Sequence, residues 1–367
     1  MVKKFILAII VIVISVILGS YIFSSLFVEY GSEMSLLEEK TLVSPGVLVR
    51  YDALGQGLFT AYNNTGQSIV SKFSFEGTKQ WEGIYASSRL LINNSLKEII
   101  VVDLSSRKVN ILTLEGEIEN SWKPLGKPLY SSISNDKRNF VVSETDSSQT
   151  SWEISLELKD NDGEELFTKK FNNMEVVSTE WSPLGIAVLV FDFNLEQPGQ
   201  YIYVFDNYGK ELYKKRFESS LYDYDLSPSG DYLIYTTENE IGLYNLLLDS
   251  LNVLDFDNVV GVGFSSENRA LLIQEATSIL PPGKQAKLVQ INLSGQEEGS
   301  LRYKGEYIGY YLGQDGTIAV ATNKGIFLSN NLVAYKHYET SGTKRVVFDR
   351  DFIVYVLKDN NTIEWYK

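Results

Sequence analysis

The chain has 367 residues, 44% hydrophobic and 13% aromatic, with 47 acidic against 33 basic side chains and a formal net charge of −14. Such a balance argues against a nucleic-acid partner, because an acidic surface repels phosphate backbones. The absence of cysteine excludes a disulfide framework, a thiolate zinc site and a cysteine nucleophile together, and it runs against a eukaryotic secreted origin.

The N-terminal stretch MVKKFILAIIVIVISVILGSYIFSSLFVEY differs from everything after it. Lys3 and Lys4 precede a run from Phe5 to Val28 that contains no charged residue. As a helix at about 1.5 Å per residue that run reaches roughly 36 Å, enough to cross a hydrocarbon core of about 30 Å. The lysines before it, and Glu29, Glu33, Glu38 and Glu39 after it, predict a cytoplasmic N-terminus with the remainder outside. A cleaved signal peptide is the rival reading. Its apolar core, however, spans about 7 to 15 residues and ends in a small-x-small site; this run is longer and no Ala-x-Ala follows it. The sequence therefore divides into residues 1–30 (stub and retained single-pass anchor in the cytoplasmic membrane), 31–43 (linker) and 44–367 (folded domain).

Beyond the linker the chain repeats itself. RYDALGQGLFTAY (50–62), LLINNSLKEIIVVD (90–103) and SISNDKRNFVVSE (132–144) each place a turn before a run of β-branched and aromatic residues. TEWSPLGIAVLVFD (179–192) and YDLSPSGDYLIYTT (224–237) give the clearest copies. VGFSSENRALLIQ (262–274), YYLGQDGTIAVAT (310–322) and VVFDRDFIVYVLK (346–358) complete the series. The turns recur at intervals of about 40 residues, and each unit holds several short strand patterns bounded by polar breaks. Helical repeats of similar period need long stretches at a 3.6-residue period, and none occurs after the anchor.

The stretch LKDNDGEEL (158–166) carries enough oxygen ligands to raise the question of calcium. An EF-hand loop has Gly at position six and a ligand at position one; counting back from Gly163 puts Leu158 there, and leucine cannot ligate. FSFEGTKQW (73–81), LTLEGEIEN (112–120), VFDNYGKEL (204–212) and INLSGQEEG (291–299) occupy the same place in their units. All five read as hairpin turns between third and fourth strands, with Gly where φ is positive.

This pattern resembles the β-propeller superfamily, in particular the WD40-like repeats of bacterial periplasmic proteins related to TolB. The phrase Trp181-Ser182-Pro183-Leu184-Gly185 and its partner Leu226-Ser227-Pro228-Ser229-Gly230 carry the likeness, although both lack the usual Asp before Gly; Gln314-Asp315-Gly316 keeps the Asp-Gly and loses the Ser-Pro. The resemblance implies an all-β fold: a single propeller of eight blades, alternatively seven, with SLLEEKTLV (35–43) supplying a ring-closing strand. The docking tryptophans of quinoprotein propellers are missing, since Trp81, Trp122, Trp152, Trp181 and Trp365 share no common position.

Up-and-down topology puts ETDSSQTSW (144–152), FNLEQPGQ (193–200) and ATSILPPGKQAK (276–287) on one face, between second and third strands, as insertions suited to a binding side. His337 has no partner histidine and no nucleophile motif beside it, and Gly261-Val262-Gly263 lies in a strand pattern, so neither carries chemistry. The candidates for the channel are Glu180, Asp223 and Asp225. Two carboxylates from adjacent blades are a pattern for cation binding or glycosidase-type acid–base work; their structural alternative is hydrogen bonding to water or to the backbone of a neighbouring blade. No catalytic set, cofactor motif or metal-ligand cluster is expected. Three functions follow as expectations: a scaffold for a protein partner in an envelope complex, a carbohydrate or cell-wall binder using Tyr307, Tyr310 and Tyr311, or a hydrolase or lyase using the channel acids.

Overall fold

A computed structural model describes residues 32–366 apart from short interruptions. The expected anchor at residues 1–30 lies outside the described residues, among which no helix is long and apolar enough to cross a membrane. The described residues form seven four-stranded sheets and one five-stranded sheet. In chain order the sheets occupy residues 47–85, 90–122, 127–172, 174–217, 221–254, 259–304, 307–339 and 343–366. Within each, successive strands pair antiparallel, the meander that short turns dictate. The first strands of successive sheets face one another, and the first strand of the first sheet packs on that of the last, closing a ring. This is a β-propeller.

Two N-terminal segments finish the outer edges. Leu36–Thr41 pairs antiparallel with Thr362–Tyr366 and becomes the fourth strand of the last sheet. Ser32–Glu33 pairs parallel with the outer strand of the seventh, opposite Lys336 and His337. A sheet left one strand short would expose a row of backbone donors and acceptors; the chain's start covers the one its end leaves open.

Burial follows position in the sheet rather than local alternation. The second strands, such as Gly185–Asp192 and Ile318–Thr322, are buried almost throughout, because neighbouring sheets cover both their faces and favour apolar side chains on each. The outer strands, such as Lys79–Tyr85 and Glu211–Phe217, alternate exposed and half-buried, because only one face meets a neighbour. The core is accordingly divided into slabs between consecutive sheets. The third and fourth sheets share Phe140, Leu156, Ile186 and Phe205, and the fourth and fifth share Ile202, Leu226, Leu233 and Tyr235.

The five glycine turns share one geometry. In LKDNDGEEL, Asp160 Oδ1 accepts the N–H groups of Asp162 and Glu164, both at 2.9 Å, and Gly163 has φ of +80°. Ser74, Thr113, Asp206 and Asn292 accept equivalent bonds with their own side-chain oxygens. The Asp160 oxygen is therefore committed to its own turn, as short polar residues at that position commonly are.

Two of the expected insertions are extensions of hairpins. ATSILPPGKQAK is not a loop: the strands Ala270–Ile279 and Pro282–Ile291 run through it in unbroken register, down to Ile279 opposite Pro282. ETDSSQTSW likewise lengthens a hairpin, with Ser147 opposite Trp152. FNLEQPGQ departs from the ladder between Asp192 and Gly199. Pro282 stands at the first position of its strand, where proline forfeits no ladder bond.

Candidate functional site

The axial candidates sit on inner strands. In Leu221–Leu226 the pairing register shifts between Leu221 and Asp223, so Tyr222 bulges outward and is 57% exposed. Asp223 and Asp225, two residues apart, then share one side. That side meets the inner strand of the sixth sheet, Val259–Phe264. Asp223 Oδ2 accepts the Val262 N–H at 2.9 Å, and Asp225 Oδ2 accepts the Phe264 N–H at 2.9 Å. Asp223 Oδ1 takes the Tyr224 N–H at 3.0 Å, and the Tyr310 hydroxyl donates to the Val262 carbonyl. Gly261 leaves room for this, since a Cβ there would lie 3.1 Å from the Tyr307 hydroxyl and 3.2 Å from the Tyr310 ring.

These bonds belong to a series. An inner strand has one unpaired edge, and its donors and acceptors must find partners. Arg50 reaches Asn93 and Asn94 from the first sheet to the second, and Asn93 donates to the Ser131 carbonyl of the third at 3.1 Å. Tyr130 pairs with Thr179 at 3.1 Å, and Ser178 with Tyr224 at 3.0 Å. The two aspartates are the rung between the fifth and sixth sheets. Aligning the turns in the sequence brought these residues to the axis, but their use as substitutes for backbone partners becomes visible only when the sheets are placed side by side.

Burial pushes the Asp223 carboxyl up to about 6, against the lowering effect of the Val262 and Tyr224 N–H groups. Asp225 is raised by burial first and by the charge of Asp223, with the Phe264 N–H opposing. Glu180 is raised well above the usual carboxylate range by burial, then by Asp225 and Asp223. The structure thus brings the three acids within one electrostatic neighbourhood. Burial favours the protonated form of all three, and among the described residues no group of three or more acidic or histidine side chains is arranged for a metal ion.

Tyr307, Tyr310 and Tyr311 are partly buried. Tyr307 and Tyr310 pack on the slab between the sixth and seventh sheets, and Tyr311 on the next slab. His337 lies on the outer strand Val333–Glu339, opposite Phe327. Gly261 and Gly263 lie in the strand Val259–Phe264 with no helix following.

The site that motif reading missed is a cleft of about 700 Å³ between the fifth and sixth sheets. It opens on the face of the second-to-third hairpins, walled by the turn at 237–240, the link at 255–258 and the extended sixth-sheet hairpin. Glu238, Asp255, Asp257 and Glu275 line it, with Tyr222 at its edge. Lys284 is the one basic residue among its lining and is paired with Glu306 at 2.5 Å. In the sequence these acids are scattered over three connections; only the closing of the ring gathers them.

No protein-family model matches the chain, and no curated protein matches it. Its structure is similar to the WD40 domain of SCAP from fission yeast, with a TM-score of 0.56 and 10% identity over 90% of this chain and 97% of that one. It is also similar to a eukaryotic initiation factor, with a TM-score of 0.54 and 12% identity over 89% of this chain and 85% of that one. At such identities the likeness establishes a shared fold, the WD40-type propeller.

Proposed function

We propose that this chain is a non-enzymatic propeller of eight blades, tethered to the cytoplasmic membrane by its N-terminal apolar segment and displayed outside the cytoplasm as a scaffold for a protein partner in a cell-envelope complex. The blade count rests on the five-stranded sheet taking its place among the seven four-stranded ones. The tether rests on the uncharged run from Phe5 to Val28 behind Lys3 and Lys4.

The observation that carries the interaction reading is the acidic cleft between the fifth and sixth sheets. A concavity with converging polar groups is the ordinary form of a recognition site, and its carboxylates complement a segment bearing lysine or arginine. The non-enzymatic reading is supported by Asp223 and Asp225, each of which commits one carboxylate oxygen to the backbone of the next sheet. The fold alone does not carry the conclusion, because propellers host unrelated functions.

The test is affinity purification of the full-length protein from its own membranes, beside a variant with Glu238→Lys, Asp257→Lys and Glu275→Lys. A discrete partner protein that the wild type retains and the folded variant loses is the expected result. Equal recovery with both, or recovery of the wild type with a glycan and no protein, overturns the proposal.

A further inference from the structure

At the seam between the second and third sheets, on the face opposite the cleft, lies a buried carboxylate with an unusual set of partners. Glu98 closes the first-to-second turn of the second sheet, where its carbonyl accepts the Ser95 N–H at 2.9 Å. The residue is 1% exposed. Its Oε1 lies 2.6 Å from Lys137 Nζ, in the corresponding turn of the third sheet, and neither carboxylate oxygen receives a hydrogen bond of good geometry. The same ammonium holds Glu119 Oε1 at 2.8 Å and Oε2 at 3.1 Å, from the outer strand of the second sheet. Lys137 has φ of +71° in a turn where its N–H donates to the Ser134 carbonyl at 3.1 Å.

One ammonium thus faces two carboxylates, one of them out of water. Among the described residues Lys137 and Glu119 are the charged groups acting on Glu98. The neighbouring Arg138 is committed to Asp136, to the Ser182 carbonyl at 2.6 Å and to Asn207. A buried charge is tolerated when it is paired, and here the pairing is one cation short.

We propose that Glu98, Lys137 and Glu119 form a proton-operated latch between the second and third sheets. With Glu98 protonated, its O–H donates to Glu119 and one lysine satisfies both; with Glu98 ionised, two negative charges meet at the seam and loosen it. Burial first, then the contact with Glu119, raises the Glu98 carboxyl to about 7, while Glu98 and Lys137 hold Glu119 below the usual range. Because the folded value of Glu98 lies above the unfolded one, the folded state binds the extra proton. Its stabilising contribution is complete below the ordinary carboxylate range and is lost as pH rises through neutrality.

The experiment is hydrogen exchange of the full chain at pH 5.5 and pH 8, corrected for intrinsic rates and read at the turns 95–99 and 134–138, in wild type and Glu98→Gln. Wild type is expected to open these turns roughly tenfold more at the higher pH, the factor that one unit of differential protonation carries. Glu98→Gln is expected to show no such pH response. Equal responses in the two proteins overturn the latch. Should Glu98→Gln not fold, Glu119→Gln replaces it: this change leaves lysine and Glu98 one to one, and a pH response as large as that of wild type refutes the proposal.

Discussion

On the face of the third-to-fourth turns, Ser74, Thr113, Asp160, Asp206 and Asn292 repeat one hydrogen-bonded device, whereas on the opposite face the hairpins differ in length, shape and charge. The first face also fastens neighbouring sheets. Lys72 and Trp81 both donate to the Leu114 carbonyl of the next turn, at 3.0 and 2.9 Å; Asn252 donates to the Ser294 carbonyl at 2.9 Å. Arg138 reaches from the third sheet to Ser182 and Asn207 of the fourth and lies 5.4 Å over the Trp181 ring. With one end of the ring held by short, interlocked turns, the other is free to vary, and there the cleft forms. The comparison teaches that uniformity and recognition are assigned to opposite ends of the same strands.

Substitutions at the turn face should cost most. Gly209 has φ of +76°, and a Cβ there would fall 2.7 Å from the Phe167 ring of the preceding sheet. Gly209→Val is expected to lose roughly 2–5 kcal/mol, combining left-handed backbone strain with overpacking, measured as a shift in the urea midpoint. Arg138→Ala should lose about 2 kcal/mol by the same measurement, the scale of hydrogen bonds made by a charged donor; an unchanged midpoint would show that this clasp does not hold the sheets.

The channel between the faces should respond to pH instead. Glu180 has its carboxyl raised by burial and by Asp225, so the protonated form is the one the fold prefers. The stability linked to it is present in acid and is lost as pH rises through the raised value. Glu180→Gln is expected to unfold at a higher temperature than wild type at pH 8 and to match it near pH 4. Equal melting temperatures at both would mean that the carboxyl is better solvated than its surroundings indicate and holds its proton no more tightly folded than unfolded.

The smallest effect is expected at the cleft. Glu275→Lys should change stability by less than about 0.5 kcal/mol, as surface substitutions away from tight packing do. A loss above 1 kcal/mol would make the cleft part of the ring's fastening and dissolve the contrast between the faces.

Much of the architecture was legible because it is written locally. Gly77, Gly116, Gly163, Gly209 and Gly295 mark turns through their backbone freedom, and the unbroken apolar run of GIAVLVFD marks a strand covered on both faces. The same reasoning brought Glu180, Asp223 and Asp225 together, since aligned turns place inner-strand residues at equivalent depths. It did not foresee the continuation of ATSILPPGKQAK as a hairpin, because a strand's length depends on what its neighbour offers for pairing and not on its own residues.

The sequence by itself determined the repeat, the strands, the turns and the uncharged run at the N-terminus, all of which follow from spacing and side-chain type within a few residues. Only the tertiary structure decided that Asp223 and Asp225 grip Val262 and Phe264, that one lysine serves Glu98 and Glu119, and that acids from three connections line one cleft. Each of those facts joins residues from neighbouring sheets, and a side chain's partner across a seam is fixed by how the ring closes, which no local pattern encodes.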